Sequence, residues 1–132
     1  MHWAAHLIGK PYVPGACGPD AYDCLGLVRY YFRERRGIEL PDYDLVSGTP
    51  RQLASFVRAT GWHRAEGRPQ DEDLMLTENV AGRHVGVVVK TCEGLGLLHA
   101  QGDAQRGSVL WQPLNTLFAY RNQELWRSPC SL

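Results

Sequence analysis

Hydrophobic and polar positions divide the chain into a helical first part and a strand-rich remainder. From Asp23 to Arg36, Leu27, Val28, Tyr31 and Phe32 recur at three- and four-residue spacing, while Arg29, Arg33 and Arg36 fall elsewhere. That spacing predicts a helix with one buried face, ended by Gly37. A second helix is predicted from Pro50 to just before Gly61, with Leu53, Phe56 and Val57 on a shared face. Residues 2–9 predict a shorter helix, stopped by Gly9 and Pro11. Pro11 to Pro19 holds three Pro and two Gly and must be a loop, and residues 38–50 read as a connecting loop.

Beyond Gly61 the texture changes to short apolar runs separated by turns. Strands are predicted at 62–64, 74–76, 84–90, 95–100, 109–114 and 120–126. Cys92-Glu93-Gly94-Leu95-Gly96 carries turn residues between two of them, so 84–90 and 95–100 form an antiparallel hairpin. In that hairpin, positions whose numbers add to about 185 face one another, which brings His84 and His99 close at one end. Helices followed by strands predict an α+β fold, N-terminal helices packed against a central antiparallel sheet of about five to six strands.

Length and composition narrow the function classes. The 132 residues suit a single domain spanning 1–132, and 44% hydrophobic with 21% charged residues marks a globular chain rather than a disordered one. Fourteen basic and fourteen acidic side chains balance, with no basic stripe for a phosphate backbone, so no nucleic-acid partner is expected. No stretch is long and apolar enough for a membrane span, and the first ten residues lack the pattern of a secretory signal. The expected location is therefore the cytoplasm in which the chain is made. Four irregularly spaced cysteines, without a Cys-x-x-Cys pair, read as thiols rather than as a disulfide or zinc framework.

Among candidate chemical groups, Cys24 comes first. A Pro/Gly loop delivers it to the first turn of a helix, where unpaired N–H groups and the helix dipole favour a thiolate and could hold an oxyanion. The alternative is that Cys24 simply heads the apolar face of Leu27, Val28 and Tyr31. A thiol nucleophile needs an imidazole to move its proton and a third group to orient that imidazole. His84 and His99, together at one end of the hairpin, suit those two tasks. They could equally be two satisfied histidines at strand ends. Asp23 either caps the helix or meets a substrate ammonium. Its charge opposes thiolate formation, which calls for a protonated His84 nearby. His2 and His6 share a helix face but lack a third ligand, so no metal is expected. His63 reads as a surface residue, Gly94-Leu95-Gly96 as a turn, and Ser47, Ser55 and Ser108 lack a hydrolase setting. No cofactor is implied.

Four blocks carry a resemblance: Ile8-Gly9-Lys10-Pro11-Tyr12, Gly18 to Val28 with Asp23-Cys24-Leu25-Gly26 at its centre, His84-Val85-Gly86-Val87, and Leu98-His99-Ala100. In order and spacing the chain resembles the NlpC-type cell-wall peptidases, papain-like cysteine hydrolases of bacterial peptidoglycan. The resemblance implies Cys24 as nucleophile, His84 as general base and acid, and His99 as its orienting residue. It also implies Tyr12 as a group for the oxyanion or substrate, and 71–76 as a strand entering the sheet before the His block. The implied substrate is the peptidoglycan stem peptide, cut at the amide between D-γ-glutamate and diaminopimelate. Leu25 stands where the family most often has Ser, and Pro14-Gly15-Ala16 where it often has Trp-Gly-Gly. The apolar Leu25 makes the chain similar to phage and prophage tail-assembly members, which implies tail-tip proteins as partners and the virion tail as a location. A thiol acyltransferase and an inactive structural tail protein on the same fold are the alternatives.

Overall fold

The computed structural model describes residues 2–40, 50–79, 82–102, 106–117 and 121–129. A 3-10 helix at Trp3–Leu7 is followed by helices α1 (Cys24–Arg36) and α2 (Pro50–Thr60). Six strands follow: β1 (His63–Ala65), β2 (Leu74–Asn79), β3 (Gly82–Thr91), β4 (Gly94–Gly102), β5 (Gly107–Pro113) and β6 (Arg121–Arg127). A single-turn 3-10 helix, Leu114–Thr116, links the last two. Each predicted element is present at nearly its predicted position. Most of the predicted 38–50 loop, with Ser47, lies outside the described residues, as do Tyr120, Cys130 and the side chain of Leu53.

All strand pairs are antiparallel, in the order β1-β6-β2-β3-β4-β5. The β3–β4 hairpin has the predicted register, Val87 opposite Leu98 through Thr91 opposite Gly94. Its turn is Cys92-Glu93, with Gly94 at φ +104, a conformation that glycine adopts without strain.

Helix α1 mixes good helix formers, its Leu, Arg and Glu residues, with the indifferent Val28, Tyr30, Tyr31 and Phe32. Burial positions it: Leu27, Val28, Tyr31 and Phe32 pack on Val85, Val87, Val89, Leu98, Ala100 and Val109 of the sheet. Each such side chain contributes about 1.5–3 kcal/mol. Asp23 caps the start of α1, and Gly37, at φ +66, ends it by donating its N–H to the Arg33 and Phe32 carbonyls. A smaller cluster of Met75, Val88, Leu97, Leu117 and Leu125 lies on the other side of the sheet.

Two buried carboxylates fix the turn before β2. Asp73, with no exposed surface, accepts two hydrogen bonds from the Arg127 guanidinium at 2.8 Å and one from the Gln70 N–H at 2.9 Å. Glu72 accepts from the Tyr31 hydroxyl at 2.7 Å and pairs with Arg36, tying the turn to α1. At the sheet edge, Gly9–Tyr12 runs along the start of β5. The Gly9 N–H donates to Val109 O, the Val109 N–H to Lys10 O and the Tyr12 N–H to Gly107 O, all at 2.8–3.0 Å.

Candidate active site

The Pro/Gly loop folds back on itself before it reaches Cys24. The Tyr22 N–H donates to Pro11 O and the Val13 N–H to Tyr22 O, at 3.0 and 3.1 Å. Asp23 then gathers the loop onto the helix. Its Oδ1 accepts from the Gly26 N–H at 2.6 Å, its Oδ2 from the Gly15 N–H at 2.8 Å, and its own N–H donates to Ala16 O at 2.9 Å. Both carboxylate oxygens thus hold backbone N–H groups, the capping role among the two read from the sequence. Gly26 makes the crossing possible, because a Cβ there would lie 2.0 Å from Ala16 O. Cys24 emerges as the first residue of α1, half-buried and outside any disulfide.

The predicted histidine pair is joined. His84 Nε2 lies 2.7 Å from His99 Nδ1, with the rings edge to face, and His99 Nε2 lies 2.7 Å from Gln112 Oε1. Both rings are buried, His99 completely. Burial pushes both imidazoles well below the usual histidine range, the neighbouring His99 lowering His84 further, while the bond to Gln112 opposes the drop at His99. The neutral form of His84 is therefore favoured, in contrast to the protonated ring that the charge of Asp23 led us to expect. Gln112 was missed by sequence reasoning. Only the β4–β5 register, with Leu97 opposite Gln112, puts its amide on the same side of the sheet as His99.

Cys24 and His84 belong to the same end of the molecule. Strand β3 begins where β4 ends and β5 begins, and there Tyr12 bonds to Gly107, with its Cβ 3.0 Å from where a Cβ on Gly102 would lie. Tyr12, half-buried, is bridged to Tyr22, two residues before Cys24. The β3–β4 ladder has its last paired positions at Val87 and Leu98, although both strands continue toward this end. Beyond that pair the His84–His99 bond links the two strands.

The remaining candidates lie elsewhere. His2 Nδ1 accepts the Ala4 N–H at 2.9 Å as the cap of the first 3-10 helix, and His6 Nδ1 donates to the Trp3 carbonyl at 2.5 Å. His63 is exposed on β1. Cys17 and Cys92 are exposed free thiols. Among the described residues no three His, Cys, Asp or Glu side chains come together as metal ligands, and no helix is long and apolar enough to cross a membrane.

Two helices and a six-stranded antiparallel sheet, with a cysteine heading the packed helix, place the molecule in the papain-like fold class. Residues 9–123 match the NlpC/P60 family, and the chain belongs to that family, whose members are usually cysteine peptidases that hydrolyse peptidoglycan. Over 101 residues, 70% of this chain, it is 34% identical to the tail tip assembly protein K of Escherichia phage N15, and it spans 38% of that longer relative. The crystal structure of the NlpC/p60 domain of the peptidoglycan hydrolase SagA has the same fold, with a TM-score of 0.58 and 22% identity, covering 92% of this chain and 91% of that one.

Proposed function

We propose that this protein is a cysteine peptidase that hydrolyses peptidoglycan stem peptides at the D-γ-glutamyl-diaminopimelate amide, working within a phage or prophage tail assembly. Family membership supports the reaction class, and the phage N15 relative, a tail tip assembly protein by name, supports the setting. The observation that carries the reading is the buried His84–His99 pair at the sheet end to which the loop delivers Cys24. In this reading the thiol meets the imidazole at the end of β3, where the strand runs past its last pair with β4, Val87 opposite Leu98.

Neutral His84 accepts the Cys24 proton as Sγ attacks the carbonyl carbon. N–H groups of the first turn of α1 and Tyr12 hold the oxyanion. The amine leaves with the proton from His84, and a thioester remains. Water, deprotonated by His84, then attacks the thioester and frees the acid, and Cys24 recovers its proton. His99 holds the His84 ring in place throughout.

Purified protein is incubated with stem-peptide muropeptides and the products are weighed by mass spectrometry. Two fragments that together add one water are expected, and none with Cys24→Ala at unchanged melting temperature. Cleavage retained by Cys24→Ala overturns the mechanism. Transfer of the acyl group to an added amine in place of water identifies an acyltransferase, and no turnover by the native chain, even with tail partners, identifies a structural component.

A further inference from the structure

Gln112 stands at the end of a chain of ring nitrogens whose direction matters. His99 has one nitrogen toward His84 and the other toward Gln112 Oε1, each at 2.7 Å. A carbonyl oxygen only accepts, so it requires the proton on His99 Nε2. A neutral imidazole carries one N–H, which leaves His99 Nδ1 as a lone pair. His84 must then donate from Nε2, and its Nδ1 is left unprotonated.

We propose that Gln112 is a positioning residue that, through His99, sets the tautomer of His84 and so keeps Nδ1 unprotonated, able to act as a base toward Cys24. With the amide reversed, every proton in the chain moves. The Gln112 NH2 would donate to His99 Nε2, His99 would donate from Nδ1 to His84 Nε2, and His84 would hold its proton on Nδ1, unable to accept another. Asp or Glu would enforce the same direction as the amide oxygen and add a negative charge that favours imidazolium. Gln112 supplies direction without charge, and both rings stay neutral in their buried setting. His99 is a titratable neighbour that acts on His84, lowering it. The catalytic use of this chain rests on the proposed peptidase mechanism, whereas the tautomers do not.

The test uses the full chain labelled with 15N-histidine, read by long-range proton-nitrogen NMR near neutral pH, together with the pH profile of iodoacetamide labelling at Cys24. Native protein is expected with both rings protonated at Nε2. In Gln112→Leu the buried His99 N–H loses its acceptor, which shifts the tautomer balance about tenfold or more. Nδ1–H signals should appear at both rings, and Cys24 labelling and kcat should fall about tenfold with KM held. Gln112→Glu, which accepts and does not donate, should keep both Nε2 protons, restore labelling and move its pH profile upward. An Nδ1 proton on either ring of the native chain overturns the proposal, as do unchanged tautomers in Gln112→Leu. Should Gln112→Leu not fold, a neutral ring protonated at Nδ1 in Gln112→Glu overturns it equally. A native chain with the expected tautomers and no peptidase activity refutes the peptidase mechanism and leaves the role of Gln112 intact.

Discussion

Replacing Gly26 by Ala sets two effects of opposite sign against each other. Inside a helix the change is worth about 1 kcal/mol of stability by propensity. Here the new Cβ would stand 2.0 Å from Ala16 O, 2.9 Å from Ala16 C and 2.9 Å from Asp23 Oδ1, so the loop must retreat by more than ~1 Å. That retreat breaks the bond from the Asp23 N–H to Ala16 O and loosens the cap on the Gly26 N–H. Overpacking costs about 1–3 kcal/mol, the cap about 1 and the lost bond about 1. Against the propensity gain, a net loss of about 3 kcal/mol is expected, or roughly 10 °C in melting temperature for a chain of this size. Calorimetry measures the loss, and alkylation of Cys24 reports whether the start of the helix has moved. Gly37→Ala is the comparison: its φ of +66 makes Ala strained, but its Cβ would meet nothing within 4 Å. It should cost about 1 kcal/mol and leave Cys24 labelling unchanged. A Gly26→Ala protein as stable as the native chain refutes the reasoning.

Acid should destabilise the fold through His84 and His99. In the unfolded chain they titrate near 6.5, and burial lowers both in the folded state. The stability they confer is thus present above about pH 6.5 and lost as pH falls toward their folded values. Urea unfolding at pH 5 against pH 7.5 should show a drop of about 2 kcal/mol for each ring kept neutral, and a double variant lacking both rings should lose most of that slope. Arg127→Met strands the buried Asp73 carboxylate and should cost about 3–5 kcal/mol, while the joint change with Asp73→Leu should recover much of it in a double-mutant cycle. Gly96→Ala puts a Cβ 2.2 Å from the Trp111 ring. It should displace the indole, break its bond to Val89 O and change tryptophan fluorescence.

What could be read from sequence followed local periodicity and turn chemistry. Helix α1 was legible because Leu27, Val28, Tyr31 and Phe32 repeat at helical spacing between a capping Asp23 and Gly37. The β3–β4 register was legible because a two-residue turn leaves a hairpin little freedom, and so the meeting of His84 and His99 could be foreseen. Gln112 could not be: its partner lies 13 positions away on a strand whose pairing no short turn announces. Nor could the place of β1 beside β6 at the far edge, which depends on pairing across nearly half the chain. Nor could the burial of the Asp73 and Glu72 carboxylates, whose partners Arg127, Arg36 and Tyr31 come from distant elements. Asp23 was legible as a cap, whereas its second bond, to Gly15, depends on a loop path that spacing does not encode.

The strip Gly9–Tyr12 has a double duty that bears on how the protein fails. Seated along the first part of β5, it occupies backbone groups that would otherwise recruit a foreign strand, and it is also the anchor from which the chain runs through Tyr22 to Cys24. Damage to this one ribbon therefore exposes a sticky border and unmoors the thiol together. Self-association and a silenced cysteine should appear in the same variants, so an inactive preparation that clumps points to this ribbon before it points to the chemistry.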